Sequence, residues 1–229
     1  MILESVIPWG RSLDEYRRMF SLTESDLTKT VLGVGDGPAS FNIEMQELGH
    51  SMVSIDPIYA FSAEEIASRI EQTYDTVLEQ VRLNADQFNW SDFRNPDDLG
   101  EQRMRAMKRF LADYETGKQQ GRYRVQSLPT LSFPDQSFDL ALCSHFLFLY
   151  TAHLSEDFHL QAIHELMRVA SEVRIFPILD LTGQLSPYVK TVTRECQKSG
   201  FSVEQIEVPY HFQKNGNQML CITKKASNP

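Results

Sequence analysis

The sequence lacks the cysteine pattern of a disulfide framework or a zinc site. Its three cysteines, Cys143, Cys196 and Cys221, lie far apart, and no Cys-x-x-Cys pair occurs. Structural zinc sites and disulfide-rich secreted domains need closely spaced or paired cysteines. The cysteine content therefore disfavours both classes, predicts no metal site, and is typical of a reduced, cytoplasmic protein.

Long hydrophobic runs and an excess of basic residues are also missing. The apolar run Leu140–Leu149 is interrupted by Ser144 and His145 and is much shorter than the roughly 20 residues that span a bilayer. Residues 1–10 lack a basic segment followed by an apolar core, so no secretory signal is predicted. The 22 Lys and Arg against 31 Asp and Glu give a net charge of −9, which disfavours a broad surface for nucleic acid. We therefore expect neither a membrane nor a nucleic acid as a partner.

What is present is the composition of an ordinary folded domain. Of the 229 residues, 41% are hydrophobic and 23% are charged, close to the averages for globular proteins. A chain of this length typically forms one domain, and its hydrophobic core is large enough to be stable without disulfide bonds or structural metal ions. We predict a single domain over residues 1–229.

Short apolar segments alternate with helical patterns along most of the chain. Thr30–Val34 and Ser51–Ile55 are typical of buried strands, and Pro38–Leu48 between them is predicted to be helical. Phe138–Cys143 and Val173–Leu179 repeat the strand pattern. Strands that alternate with helices indicate a parallel sheet with helices on both faces.

The C-terminal part predicts an antiparallel edge. Val203–Val208 and Met219–Thr223 are strand-like, and the segment between them contains Asn215-Gly216, a dipeptide typical of hairpins. The predicted fold is therefore α/β and Rossmann-like: a doubly wound, seven-stranded mixed sheet that ends in an antiparallel hairpin.

The region between the second strand and the strand-like segment Tyr123–Gln126 is longer than a normal crossover connection. A helical pattern follows the capping residue Ser62, and a second one is predicted to end before Gly117. Between them, Asn84–Gly100 is polar and is predicted to be a loop. We interpret residues 57–121 as a helical insertion that forms a lid over the ligand-binding edge of the sheet.

The residues that best indicate a ligand site follow the first two strands. Gly35 and Gly37 leave room for a ligand against the backbone, and Asp56 ends the neighbouring strand, where a carboxylate can bind a ribose diol. Strand, glycine turn, helix and terminal acid together predict adenosine binding. The dinucleotide fingerprint Gly-x-Gly-x-x-Gly/Ala is broken, because its third position holds Ser40 or Pro38 in the two possible frames.

The segment VLGVGDGPA resembles the first motif of the class I S-adenosylmethionine-dependent methyltransferase family, roughly V-L-D-x-G-x-G-x-G. Within that family, the segment is most similar to the methyltransferase type 11 group. Gly35, Gly37 and Ala39 occupy the three small-residue positions, and Asp56 occupies the position of the ribose-binding acid. Gly33 stands where the motif has an acid of its own.

Two downstream segments extend the resemblance. LSFPDQSFDLALCSH is similar to the family's L-P-F-P-D-x-S-F-D-L-V stretch, and HELMRV is similar to its E-x-x-R-V helix. The resemblance implies the fold predicted above and S-adenosylmethionine as the cofactor. It also implies a set of cofactor-binding residues: Gly35, Asp36, Gly37, Asp56, Pro57, Ser127, Leu128 and Ser144.

His145 is the candidate catalytic residue. It follows the fourth strand at the ligand-binding edge, where an imidazole with an ordinary pKa of about 6.5 could take a proton from the acceptor. The alternative is that His145 only caps the strand. Phe146, Phe148 and Tyr150 either form an apolar wall for the acceptor or belong to the core. Arg11 either binds the carboxylate of the cofactor or is an ordinary surface arginine.

The predicted function is methyl transfer from S-adenosylmethionine to an unidentified small molecule. Two alternatives stay open. An NAD(P)-binding oxidoreductase is disfavoured by the broken dinucleotide fingerprint. A non-catalytic protein that binds an adenosyl ligand is compatible with the departures from the family's motifs at Gly33 and Ser127.

Overall fold

The computed structural model describes residues 7–225; residues 1–6, where a secretory signal would begin, and 226–229 lie outside the described part. The strands are β1 Val31–Val34, β2 Met52–Ile55, β3 Tyr123–Arg124, β4 Phe138–Ser144, β5 Ala170–Phe176, β6 Phe201–Glu207 and β7 Gln218–Lys224. The helices are α1 Leu13–Met19, α2 Glu24–Leu27, α3 Phe41–Glu47, α4 Ala63–Leu83, α5 Pro96–Gln119, α6 Glu156–Val169 and α7 Tyr188–Lys198.

The strands form one sheet in the order β3-β2-β1-β4-β5-β7-β6. Strands β1 to β5 run parallel, and β7 is antiparallel to both of its neighbours, β5 and β6. The chain order reverses between β1 and β4, and ligands of open α/β sheets bind at such a switch point. The predicted seven-stranded, doubly wound mixed sheet with a terminal hairpin is confirmed.

Both faces of the sheet are covered by helices. On one face, α1 and α3 pack against β1 and β4, and the rings of Tyr16 and Phe41 stack with centroids 4.1 Å apart. On the other face, α6 and α7 contribute Ile163, Leu166 and Val192, which are all fully buried. Because both faces are buried, the central strands are apolar at consecutive positions rather than alternating.

The prediction of a loop over Asn84–Gly100 is wrong in its second part, because α5 begins at Pro96. The side chain of Asn95 accepts a hydrogen bond from the first turn of α5, and Pro96 occupies a position where no N–H is needed. Gly100 lies inside the helix, where an added Cβ would lie 2.4 Å from Oη of Tyr74. This glycine lets α4 and α5 approach closely.

The predicted end of the second insertion helix before Gly117 is also wrong. Helix α5 continues to Gln119, and Gly117 is buried within it. A Cβ at Gly117 would lie 2.4 Å from Cε2 of Tyr123. The glycine therefore permits close contact between α5 and the edge of the sheet, and it does not end the helix.

The strands β3 and β5 differ most from the prediction, while the other strands agree with it to within two residues at each end. Strand β3 has two residues, Tyr123 and Arg124, instead of four. Strand β5 begins at Ala170, directly after α6, and ends at Phe176. The next residue is Pro177, which has no N–H to donate to a neighbouring strand.

No helix within residues 7–225 is long and apolar enough to cross a membrane. Over the same residues, no group of three or more His, Cys, Asp or Glu side chains is arranged to hold a metal ion.

Candidate functional site

The carboxyl ends of the parallel strands open into a cavity of about 540 Å³. This volume is within the usual range for small-molecule sites. The residues predicted for cofactor binding and catalysis all line the cavity: Gly35, Asp36, Gly37, Asp56, Pro57, Ser127, Leu128, Ser144 and His145. The structure thus brings the predicted residues together, while their individual roles stay predictions.

The glycine turn after β1 depends on two left-handed residues. Gly35 has φ +67° and Gly37 has φ +55°, a region that glycine adopts without steric cost. The N–H of Gly35 donates to the carbonyl of Ile55 at 2.9 Å, which fixes the turn to the end of β2. A Cβ at Gly35 would lie 3.2 Å from Cβ of Phe146, so the turn is also tightly packed.

Asp56 connects the end of β2 to this turn. One of its carboxylate oxygens accepts the N–H of Gly37 at 2.9 Å, and the other accepts the N–H of Ile58 at 2.8 Å. Burial raises the pKa of Asp56, and these two hydrogen bonds oppose that shift. A carboxylate has roughly four acceptor positions, so Asp56 can hold the turn and still accept hydrogen bonds from a diol.

Asp36 explains why the first motif has glycine where the family has an acid. A Cβ at Gly33 would lie 1.8 Å from Oδ2 of Asp36, so the Asp36 carboxyl group fills the space of a side chain at position 33. Tyr16 donates to Oδ1 of Asp36 at 2.8 Å, and Ser54 donates to Oδ2 at 2.6 Å. The turn therefore supplies, from another position, an acid beside the end of β1.

The Asp36 carboxyl group is poised between two protonation states. Burial raises its pKa to about 7, the charge of Asp56 adds to the shift, and the hydrogen bonds from Ser54 and Tyr16 oppose it. A cationic ligand group beside such a carboxyl would favour its ionised form. The site can therefore respond to a positively charged ligand by losing a proton.

His145 lies at the rim of the cavity in a left-handed conformation, with φ +51°. The backbone N–H of His145 donates to the carbonyl of Phe176 at 2.6 Å, and the ring nitrogen Nδ1 lies 3.0 Å from Oγ of Ser144. Burial lowers the pKa of His145 well below 6.5, and the positive charges of Arg11 and Arg103 lower it further. The ordinary pKa assumed from the sequence is thus wrong, and the imidazole is neutral at pH 7 and only weakly basic.

The predicted aromatic wall is only partly present. Phe146 and Tyr150 line the cavity. Phe148 is fully buried in the core instead, where its ring stacks on that of His159 with centroids 5.5 Å apart. In this segment cavity-lining and core side chains alternate, and no pattern in the sequence distinguishes them.

The insertion closes one side of the cavity. Its helices and the turn before them contribute the apolar side chains of Ile58, Phe61, Val77, Val81 and Leu99. Residues of the glycine turn and Ser144 of β4 line the same cavity. A ligand that extends beyond the glycine turn would therefore contact an apolar surface made by the insertion.

The loop between α4 and α5 is fastened to the connection between β6 and β7. The backbone N–H of Asn89 donates to the carbonyl of Phe212 at 2.7 Å, and the backbone N–H of Lys214 donates to the carbonyl of Gln87 at 3.0 Å. The rings of Phe88 and Phe212 stack with centroids 4.7 Å apart. Both segments line the cavity, so this contact encloses its outer end.

A buried polar cluster of Arg103, Glu15 and Tyr210 was not predicted. Arg103 of α5 is 1% exposed, and its guanidinium donates to both carboxylate oxygens of Glu15 and to Oη of Tyr210. Tyr210 in turn donates to Glu15 at 3.0 Å. One signal was present in the sequence: Arg103 is spaced with Leu99 and Met107 on the buried stripe of α5, where an unpaired charge is not tolerated.

No family model matches the chain. A protein of Methanocaldococcus jannaschii, named uncharacterized protein MJ0045, is 34% identical over 223 residues, which cover 97% of this chain and 98% of the relative.

Many solved structures similar to the chain are S-adenosylmethionine-dependent methyltransferases, at low sequence identity. A methyltransferase from Aquifex aeolicus is 16% identical, with 92% of this chain and 87% of that chain covered and a TM-score of 0.42. Magnesium protoporphyrin IX methyltransferase from Synechocystis PCC 6803, with bound S-adenosylmethionine, is 13% identical, with 93% and 90% covered and a TM-score of 0.46.

Proposed function

The chain belongs to the family of the Methanocaldococcus jannaschii protein MJ0045, and we propose that it transfers a methyl group from S-adenosylmethionine to a small-molecule acceptor. One observation carries the proposal: the glycine turn, the strand-end acid Asp56 and the buried acid Asp36 line a single cavity at the switch point of the sheet. Glycines and a terminal acid in this arrangement are suited to the backbone and ribose of an adenosyl ligand.

The polar groups of the turn fit the different parts of S-adenosylmethionine. Asp56 would accept hydrogen bonds from the ribose diol, and Ser127-Leu128 would flank the adenine. Asp36 would lie near the positively charged end of the cofactor, whose charge favours the ionised form of a carboxyl with a pKa of about 7. S-adenosylmethionine supplies an activated methyl group, and the protein has to hold the acceptor in line with it.

The acceptor would occupy the part of the cavity that the insertion encloses. Residues 57–121 would act as a lid, because they line the cavity and are fastened across it to the connection between β6 and β7. A closed site excludes water and fixes the angle of attack, which by itself supplies a large share of a methyl-transfer acceleration. The chain would thus need few groups that take part in the chemistry.

Calorimetric titration with S-adenosylmethionine, S-adenosylhomocysteine, NAD⁺ and NADP⁺ tests the cofactor. We expect the two adenosyl ligands to bind at one site and the dinucleotides to bind at least ~100-fold more weakly. Asp56→Asn should lower the affinity for the two adenosyl ligands roughly 10-fold or more, because the substitution removes charge-assisted hydrogen bonds.

The exposed acid Asp75 of α4 provides a matched control, and Asp75→Asn should bind S-adenosylhomocysteine as the parent protein does. Tighter binding of a dinucleotide would favour an oxidoreductase and refute the proposal. Binding of S-adenosylmethionine with no methyl transfer to any component of a metabolite extract would favour the non-catalytic alternative.

A separate prediction concerns His145. We expect His145→Asn to slow turnover roughly 100-fold and to leave S-adenosylhomocysteine affinity unchanged, because general-base help is worth about 10²–10⁴-fold and the lowered pKa of His145 places it at the lower end of that range. Asparagine tolerates a left-handed φ, and the hydrogen bond to Phe176 comes from the backbone, so the fold should be retained. Turnover is measured as S-adenosylhomocysteine formation with a metabolite extract as the acceptor source.

The pH profile distinguishes a base from a strand cap. Because the pKa of His145 is held well below 6.5, activity of the parent protein should stay level from pH 8 to pH 6.5 and fall only in more acidic buffers. Normal turnover of His145→Asn, accompanied only by a lower melting temperature, would mean that His145 has a purely structural role.

A further inference from the structure

Three arginine and two aspartate side chains line the cavity. Arg11, Arg69 and Arg103 all line it, and Arg103 is paired with Glu15. Among the residues that the structure describes, neither Arg11 nor Arg69 forms an ion pair with a carboxylate. The two acids of the lining, Asp36 and Asp56, accept the hydrogen bonds of the glycine turn and its neighbours described above, so Arg11 is left without a carboxylate of its own.

The Arg11 guanidinium uses few of its hydrogen-bonding groups. It has five N–H donors. Nη1 donates to the carbonyl of Trp9 at 3.1 Å, while Nε is buried and has no partner within residues 7–225. Burial lowers the pKa of Arg11 and the neighbouring charge of Arg103 lowers it further, whereas Tyr210 and Glu15, which is already paired with Arg103, oppose the shift. A guanidinium in this situation is stabilised by an anion, because a buried charge without a partner is costly.

The backbone around Arg11 holds the side chain in place. The carbonyl of Arg11 accepts the N–H of Ser40 at 3.0 Å, which ties the segment to the start of α3. Gly10 allows this approach, since a Cβ there would lie 2.1 Å from the carbonyl oxygen of Pro38. Arg11 is thus a fixed group beside the glycine turn, and its charge acts on Arg103 of the insertion and on His145.

Much of the lining of the cavity is apolar. Apolar side chains of the N-terminal segment, the insertion and the segment after β4 line it: Trp9, Val77, Val81, Phe88 and Leu149. A ligand that matches this lining has a hydrocarbon body and a single anionic group. A planar monoanion such as a carboxylate suits one guanidinium, which can bind it through two parallel hydrogen bonds.

We infer that the methyl acceptor is a carboxylic acid with an apolar body, whose carboxylate pairs with Arg11 inside the cavity. This inference rests on the proposed function. S-adenosylmethionine carries a net positive charge, so its binding would add positive charge to a cavity in which Arg11 has no ion-pair partner among residues 7–225. An anionic acceptor brings the loaded cavity closer to neutrality, and Arg69 at its exposed side would attract the acceptor as it enters.

The experiment compares octanoate with octanamide, which has a similar size and no charge. Binding is titrated calorimetrically and by intrinsic tryptophan fluorescence, in the presence and absence of saturating S-adenosylhomocysteine. We expect octanoate to bind the parent protein at least ~10-fold more tightly than octanamide, the factor that charge-assisted hydrogen bonds provide. In Arg11→Gln this preference should disappear, while the affinities for octanamide and S-adenosylhomocysteine change less than about 3-fold.

Arg194→Gln on the exposed surface of α7 is the matched control and should retain the preference. Equal affinity of the parent protein for octanoate and octanamide overturns the inference. So does an Arg11→Gln protein that loses S-adenosylhomocysteine affinity but keeps the preference for octanoate, because Arg11 then binds the carboxylate of the cofactor. A parent protein that binds no S-adenosylhomocysteine contradicts the proposed function instead, and the titrations without it still decide whether Arg11 selects a carboxylate.

Discussion

Replacing Gly33 by alanine is expected to lower the free energy of unfolding by about 3 kcal/mol, although the β1 backbone accepts any residue there. The reason is the Asp36 carboxyl group, whose Oδ2 would lie 1.8 Å from the new Cβ. The carboxyl has to move, and the hydroxyls of Tyr16 and Ser54 then lose their acceptor. Each buried hydroxyl left unsatisfied costs about 1–3 kcal/mol. Urea denaturation at pH 6 measures the loss.

Asp36→Ala supplies the control for this prediction. Once the carboxyl is absent, an added Cβ at Gly33 has room, so Gly33→Ala should cost about 2 kcal/mol less in that background than in the parent protein. An equal cost in both backgrounds would show that the two positions are not coupled. The pH dependence gives a second readout of the same carboxyl.

The sign of that pH dependence follows from the raised pKa. Between the ordinary value of 3.8 and the folded value of about 7, the folded state binds a proton at Asp36 that the unfolded chain has released. Stability therefore falls as the pH rises from about 4 to about 7. This decline should be smaller in Asp36→Ala, and a slope unaffected by that change would mean that Asp36 is ionised in the folded protein throughout this range.

The glycine turn could be predicted from the sequence because its signals are local. A strand, two glycines and a helix follow one another along the chain, and Asp56 is the first residue after the next strand. The role of Asp36 could not be predicted, since it depends on contacts with Tyr16 and Ser54, 20 and 18 positions away. Whether Asp36 points to solvent or folds back over Gly33 is decided by these partners.

The glycines of the insertion show a second limit. From the sequence, Gly100 is predicted to lie in a loop and Gly117 just beyond the end of a helix, yet both lie inside α5. Their positions are explained by side chains that approach from elsewhere, Tyr74 at one and Tyr123 at the other. Helix propensity disfavours glycine by about 1 kcal/mol per residue, and close packing of the insertion offsets this cost.

The contact that anchors the insertion, between Glu15 and Arg103, could not be predicted from the sequence. Glu15 lies in the first turn of α1, where its local pattern indicates a capping box, and that box is present in the structure. Its second function, pairing with Arg103 and Tyr210, links residues 88 and 195 positions apart. No local pattern contains that information. The pairing nevertheless determines where α5 lies over the cavity, and with it the shape of the site.

The last prediction tests this anchor. Arg103→Met is expected to lower the free energy of unfolding by about 3–5 kcal/mol, the usual cost of removing one partner of a buried ion pair. Burial alone raises the pKa of Glu15, and the charge and hydrogen bonds of Arg103 contribute most to bringing it below the ordinary value, so without Arg103 the buried carboxylate loses its main counter-charge. Arg105→Met, on the exposed side of the same helix, should change stability by less than about 0.5 kcal/mol.

Combining Arg103→Met with Glu15→Gln separates the ion pair from simple loss of packing. The double variant has no buried charge, and glutamine can still accept the N–H of Ser12 that Glu15 accepts at 3.2 Å, so it should recover a large part of the lost stability. Hydrogen exchange in α5 should be faster in Arg103→Met than in the double variant, because only the single variant buries a carboxylate that has lost its ion-pair partner. If both variants are equally unstable, the arginine stabilises the insertion through its hydrocarbon stem and its contact with the ring of Phe93, and the charge of Glu15 is incidental.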